Sequence, residues 1–98
     1  NQQIELPDNL GFINVTQEKQ ALNVQWNQYS AQLPLTEQQI QIRFAYAGKI
    51  RLSEKQTNEE MKKVWQQLGV PPWLRNRIPL IFYGETLKSA VGFFYVFT

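Results

Sequence analysis

The chain has neither histidine nor cysteine. The commonest general base, the commonest metal ligand and every thiolate are therefore missing. Ser30, Ser53 and Ser89 have no imidazole to activate them, which removes a Ser-His-Asp arrangement. The adjacent carboxylates Glu59 and Glu60 fall where a helix should begin, and a helix N-terminus favours acids, so the pair reads as structural. Neither a lysine-tipped phosphate loop nor a Gly-x-Gly-x-x-Gly run occurs. The chain alone is not expected to be an enzyme, and it offers no catalytic, cofactor-binding or metal residue.

What the residues can do is meet an anion. Residues 1–42 carry a net charge of −3 and residues 43–98 a net charge of +5. Six cations stand out. Arg43 and Arg51 flank a Gly48-Lys49 turn, and both fall on one polar face if the flanking segments pair as a hairpin. Lys62 and Lys63 lie off the apolar stripe of a helix, and Arg75 and Arg77 sit on a short proline-bracketed element. Long cationic side chains and guanidinium forks suit phosphates, which position a nucleic acid without reading its sequence. A merely solvated face gives the same count, so a second reading stands beside the first. In it the chain is a protein-interaction or dimerisation module with no RNA contact, joined through its glutamine-rich loop and aromatic C-terminal strand.

The elements that must position these cations follow from periodicity. With 98 residues, 43% of them apolar, the chain suits one domain, residues 1–98. Residues 1–9, with Pro7-Asp8-Asn9, read as the end of a linker. Leu10–Val15 reads as a strand, Thr16–Gln20 as a hairpin loop, and Leu22, Val24 and Trp26 alternate with polar residues as a second strand. Gln28–Gln39 reads as loop. Ile40, Ile42, Phe44 and Tyr46 form the clearest strand, ending at Gly48. Thr57 and Glu60 fit a capping box ahead of a helix whose stripe is Met61, Val64, Trp65 and Leu68. Gly69 and Pro71 stop that helix. Pro72 opens a shorter one carrying Trp73 through Ile78, with Trp65 in the core and Trp73 read first as a lid over it and second as a base-stacking platform. Leu80–Tyr83 and Leu87–Val91 are strands around Gly84-Glu85, and Gly92 marks a bulge or a close backbone approach before the apolar run Phe93–Phe97. The fold class is α+β: mostly antiparallel strands in a small sandwich-like sheet, with one main and one short helix.

The run Met61-Lys62-Lys63-Val64-Trp65-Gln66-Gln67-Leu68-Gly69-Val70-Pro71-Pro72-Trp73-Leu74-Arg75 is specific as a joined pattern. With Arg77, Pro79–Leu87 and Ala90-Val91-Gly92-Phe93, it resembles the C-terminal domain of bacterial tRNA(Ile)-lysidine synthetase over residues 40–98. The resemblance implies a fold similar to a domain of the phenylalanyl-tRNA synthetase β chain. It implies a parent enzyme that uses ATP, with Mg, to adenylate the wobble cytidine of an isoleucine tRNA, after which lysine displaces AMP. That chemistry belongs to an N-terminal catalytic domain whose Ser-Gly-Gly-x-Asp-Ser loop is absent here, so no cofactor is expected in this chain. The implied partners are isoleucine tRNA and that catalytic domain, with a homodimer as a further expectation, no membrane, and a cytoplasmic setting for a piece of a larger protein. Carried over by position, Lys62 and Lys63 match the family's Lys-Lys, Arg75 its arginine after Pro-Pro-Trp, and Arg43 a basic strand position. The family's basic stretch ahead of the helix reads Gln56-Thr57-Asn58-Glu59-Glu60 here.

Overall fold

Alternating apolar residues build the first layer of the computed structural model, which describes residues 2–97. Four antiparallel strands, β1 (Gln2–Glu5), β2 (Phe12–Gln17), β3 (Ala21–Trp26) and β4 (Tyr29–Pro34), form a meander in that order. Ile13, Val15, Leu22, Val24, Trp26, Ala31 and Leu33 point to one buried face. Asn14, Gln25, Ser30 and Gln32 point to water on the other. Gln2–Glu5, inside the segment that composition marks as a linker end, is the edge strand of this sheet. Tyr29–Pro34, expected as loop, is a strand in register with β3, from Tyr29 opposite Trp26 to Pro34 opposite Ala21. Its glutamine hides the alternation, and Pro34 is tolerated because β4 is an edge.

The second layer is the antiparallel sheet β10–β9–β8–β5, from β5 (Ile40–Arg43), β8 (Leu80–Tyr83), β9 (Thr86–Ala90) and β10 (Phe94–Tyr95). Every residue of β8 is buried. Ile81 and Tyr83 enter the core shared with the meander, whereas Leu80 and Phe82 enter a second core on the opposite face. The Leu-Ile-Phe-Tyr run is what a strand covered on both sides requires. Between Ile81 and Phe82 the register with β9 slips, so that Ser89 faces Ile81, Leu87 faces Phe82 and Lys88 is the extra residue. This bulge lets Leu87 and Ala90 enter the same core although they are three apart in sequence.

The third layer covers the second core. Helix α1 (Met61–Gln67) buries Met61, Val64 and Trp65, while Leu68, expected on the stripe, is the exposed C-cap. A two-stranded ribbon, β6 (Lys49–Ile50) with β7 (Glu59–Glu60), leads into it. This ribbon overturns two expectations. Arg43 and Arg51 do not share a hairpin, because β5 pairs with β8, and Ile40 and Ile42 pack into the first core opposite Tyr83 and Ile81. The strand ends at Arg43, with Phe44–Gly48 crossing to the ribbon as loop. The capping box also does not form. Glu60 is the N-cap without a side-chain bond, since Glu59 and Glu60 are held in β7, and the Met61 N–H donates to the Gly48 carbonyl at 3.3 Å.

The end of α1 follows expectation. Gly69 takes φ +76°, its N–H donates to Gln66 O (3.1 Å), and the Val70 N–H donates to Trp65 O (3.0 Å), both bonds of a Schellman turn. Helix α2 (Pro72–Arg75) starts with Pro72 at N1 and is shorter than the sequence suggests. Gly92 proves to be a close approach, and the bulge lies at Lys88 instead. A Cβ on Gly92 would stand 2.5 Å from Tyr29 Cδ1, with φ at +83°. The Tyr29 ring passes there to reach Phe93 (5.1 Å between centroids), which packs against both cores. Among the described residues no helix is long and apolar enough to cross a membrane.

Two measurements test this packing. Gly69→Ala, with open space around its Cβ, should cost about 1 kcal/mol for the strained φ alone. Gly92→Ala should cost at least about 2 kcal/mol more in denaturant unfolding, because Tyr29 must also be displaced. The Tyr83 hydroxyl, which donates to the Pro34 carbonyl and so ties the two sheets, supplies the second. Burial pushes its pKa above the ordinary 10.0. The folded chain thus holds this proton more tightly than the unfolded one. That stabilisation is complete below pH about 10 and is lost as pH rises through the folded value. Tyr83→Phe should flatten the alkaline limb of a stability-against-pH curve, at a cost of about 1 kcal/mol near neutrality.

Candidate nucleic-acid interface

Three open clefts adjoin one another where the Phe44–Gly48 loop crosses from the second sheet to the ribbon, and Tyr46 lines all three. The first, about 190 Å³, is bounded by Lys62 of α1 and by Arg75 and Asn76 at the end of α2. The second, about 390 Å³, lies between Lys49 and Lys62, with Glu60 on its wall. The third, about 290 Å³, holds Lys49, Arg51, Thr86 and Phe97, with Glu85 on its wall. Lys49, Arg51, Lys62 and Arg75 thus ring one aromatic side chain on the outer layer. Tyr46 is held in place by its tilted contact with buried Phe82, 5.9 Å between centroids.

Each cation is positioned by a different local device. Arg75 donates from Nε to the Val70 carbonyl at 2.9 Å, which pins the short helix to the Schellman turn and leaves the fork at the cleft. Arg51 lays its guanidinium 4.9 Å from the centre of the Phe97 ring, and its Nη1 reaches the Glu54 carbonyl at 3.4 Å. The Phe97 N–H donates to Arg51 O at 2.8 Å, so the C-terminal segment fixes the stacking partner. Lys62 is exposed on the side of α1 away from the core.

The remaining predicted cations are placed differently. Arg43 is committed within the fold: Nη2 lies 3.2 and 3.3 Å from the Glu85 oxygens and 2.5 Å from Gln41 Oε1, with the guanidinium 4.6 Å from the Phe82 centroid. Lys63 is exposed and makes a loose i,i+4 pair with Glu59 at 3.9 Å. Arg77 points toward the first layer, where its Nη2 is 3.4 Å from the Asp8 carbonyl. Four of the residues singled out by sequence therefore stand apart in role or place: Arg43 and Lys63 beside acids, Arg77 toward the meander, and Trp73, expected as a lid, 76% exposed. Lys49 is the cation that the sequence pattern left out of the site. Its signal is the pairing of Lys49-Ile50 with Glu59-Glu60, a contact between two-residue strands too short to show a period of their own.

Among the described residues no three carboxylates are grouped closely enough to hold a cation, and the glycines stand singly at turns and approaches instead of forming a phosphate-cradling loop. What the clefts can do is accept phosphate oxygens from several directions around a flat aromatic ring. The two kinds of cation should separate by stability. Arg75→Ala is expected to lower the unfolding free energy by about 1–2 kcal/mol through the lost bond to Val70, and Lys62→Ala to change it by less than about 0.5 kcal/mol, both read from denaturant midpoints.

The model of the TilS substrate C-terminal domain family matches residues 40–96, more than half of the chain. The chain is 53% identical over 94 residues to the tRNA(Ile)-lysidine synthase of Haemophilus influenzae (strain PittGG), covering 96% of this chain and 22% of that protein. It is 52% identical over 101 residues to the tRNA(Ile)-lysidine synthase of Actinobacillus succinogenes, with 99% of this chain and 24% of that protein covered. The one from Shewanella woodyi is 49% identical over 63 residues, 62% of this chain and 13% of that protein. The chain spans less than a quarter of the length of the first two relatives. By sequence pattern, by its small antiparallel α+β architecture and by these matches, the chain belongs to the TilS substrate C-terminal domain family.

Proposed function

We propose that this chain is the non-catalytic tRNA-holding domain of a tRNA(Ile)-lysidine synthase. The parent enzyme would act in the cytoplasm, where ATP activates the wobble cytidine of an isoleucine tRNA and lysine then displaces AMP. Those steps belong to a catalytic domain outside this chain. The domain's own work is electrostatic. Lys49, Arg51, Lys62 and Arg75 contact consecutive phosphates around Tyr46, with Lys63 and Arg77 as flanking cations, while Arg43 braces the sheet against Glu85. Such contacts set the position of a tRNA body without reading its bases, and this leaves the choice of cytidine to the catalytic domain.

The observation that carries this reading is the convergence of four cations on clefts that share one aromatic residue, in a chain whose relatives bear the name tRNA(Ile)-lysidine synthase. Solvated cations scattered for solubility have no reason to face a common groove. The test is a titration of isoleucine tRNA at 50 and 200 mM salt. Four phosphate contacts give a slope of log K against log salt of roughly −3.6, and hence an affinity loss on the order of 100-fold between the two conditions. Lys49→Glu with Lys62→Glu should weaken binding at least tenfold and reduce the slope by about 2, with the circular dichroism unchanged. Salt-insensitive binding, or an unchanged slope in the folded double variant, would remove these residues from the interface. Dimerisation by native mass in the absence of tRNA binding would favour a protein-interaction module instead.

A further inference from the structure

Trp73 is the most exposed large apolar side chain among the described residues, and the phosphate grip does not use it. It is 76% exposed, whereas Trp26 and Trp65 are 7% and 4% exposed. Leu74 next to it in sequence and Leu68 at the end of α1 are 44% and 43% exposed, so the corner between the two helices carries exposed apolar side chains. Leaving an indole in water forfeits one of the largest apolar burials a side chain offers, yet the fold holds it there firmly. Pro71 and Pro72 fix the backbone on its N-terminal side. The Leu74 N–H donates to Pro71 O and the Arg77 N–H to Leu74 O, both at 3.0 Å. Arg75 ties the helix to Val70, and buried Ile78 and Pro79 anchor its C-terminal side. A planar group on a rigid support, with only two side-chain torsions to order, is suited to stacking.

Charge decides what stacks on it. From Met61 through Gly84 the sequence has four cations, Lys62, Lys63, Arg75 and Arg77, and no acid. An exposed indole in so basic a segment is matched by a partner that combines aromatic faces with negative charge. We propose that Trp73 is a stacking platform for an unpaired base of the bound RNA, an inference that rests on the tRNA-holding function above. The indole takes the base face and the neighbouring cations take the phosphates on either side, a division of labour that tolerates any base identity.

Because the other two tryptophans are buried, Trp73 dominates the quenchable emission of the chain. Adding isoleucine tRNA to the 98-residue chain should quench that fraction. Trp73→Leu should weaken tRNA binding by about 5- to 150-fold while leaving the salt slope unchanged, and Trp73→Phe should restore most of the affinity. Leucine is as apolar as the site requires but has no π face, so an affinity equal to wild type in Trp73→Leu overturns stacking. Stacking is equally overturned if sedimentation shows that Trp73→Leu abolishes self-association while tRNA affinity stays constant, since the corner would then be a contact between copies. Unchanged salt-sensitive binding with a silent Trp73→Leu sinks the platform alone. Absence of salt-sensitive tRNA binding by the wild-type chain sinks the phosphate grip, and the platform with it.

Discussion

Strand β8 is covered on both faces, and the rest of the architecture depends on that. Ile81 and Tyr83 must find apolar neighbours on one side, Leu80 and Phe82 on the other. A chain of this size meets the demand only by stacking three thin layers, with the second sheet in the middle. The meander closes one face; the helix and its two-stranded ribbon close the other. Lys49, Arg51, Lys62 and Arg75 are carried on the outer side of that second covering layer or at its junction with the central sheet, whereas Arg77 turns toward the meander. The aromatic series Trp26, Tyr29, Phe93, Trp65 and Phe94 runs through all three layers with centroid spacings of 5.1–6.2 Å. Phe93 contributes to both cores, which is why Gly92 beside it can carry no side chain.

Layering also explains how a modest net charge becomes a directional one. The acidic first part of the chain forms the meander and its exit loop, and the basic remainder forms the central and helical layers. Most acids of the first part and most bases of the second are thereby carried on different layers, with Arg77, which reaches the Asp8 carbonyl, as an exception. The two ion pairs among the described residues, Arg43–Glu85 and Lys63–Glu59, are exposed enough that each is worth at most about 1 kcal/mol. Arg43 shows how one cation is withdrawn from the surface pool: flat against Phe82 and forked toward Glu85, it completes the strand edge.

Much of this was legible in the residues themselves. The Gly69 stop, the Pro72 start, the Leu80–Tyr83 and Thr86–Ala90 hairpin and the meander's second and third strands all rest on local causes: a left-handed glycine, a fixed proline φ, a period of two. Family resemblance over residues 40–98 was legible for the same reason, since it resides in contiguous residues joined by those turns. The elements that sequence pattern missed share a different cause. β4 was hidden by its glutamine, which faces water on a strand whose other face carries Ala31 and Leu33. The capping box at Thr57 was locally well formed but lost to the pairing of Glu59-Glu60 with Lys49-Ile50. Trp73 reads first as a lid over the core, and only the direction of the proline corner turns it outward.

The sequence by itself determined the classes of chemistry open to this protein, because residue types are indifferent to folding: without histidine or cysteine, and with its bases gathered in the second half, it could offer charge and aromatic surface and little else. It also determined where the chain must turn. Tertiary structure alone decided which cations face one another, because the pairing of β5 with β8 carries Arg43 to the Glu85 edge and the pairing of β6 with β7 brings Lys49 alongside Lys62. Those pairings are selected by which faces can be buried together, a property of two cores at once that no single segment encodes.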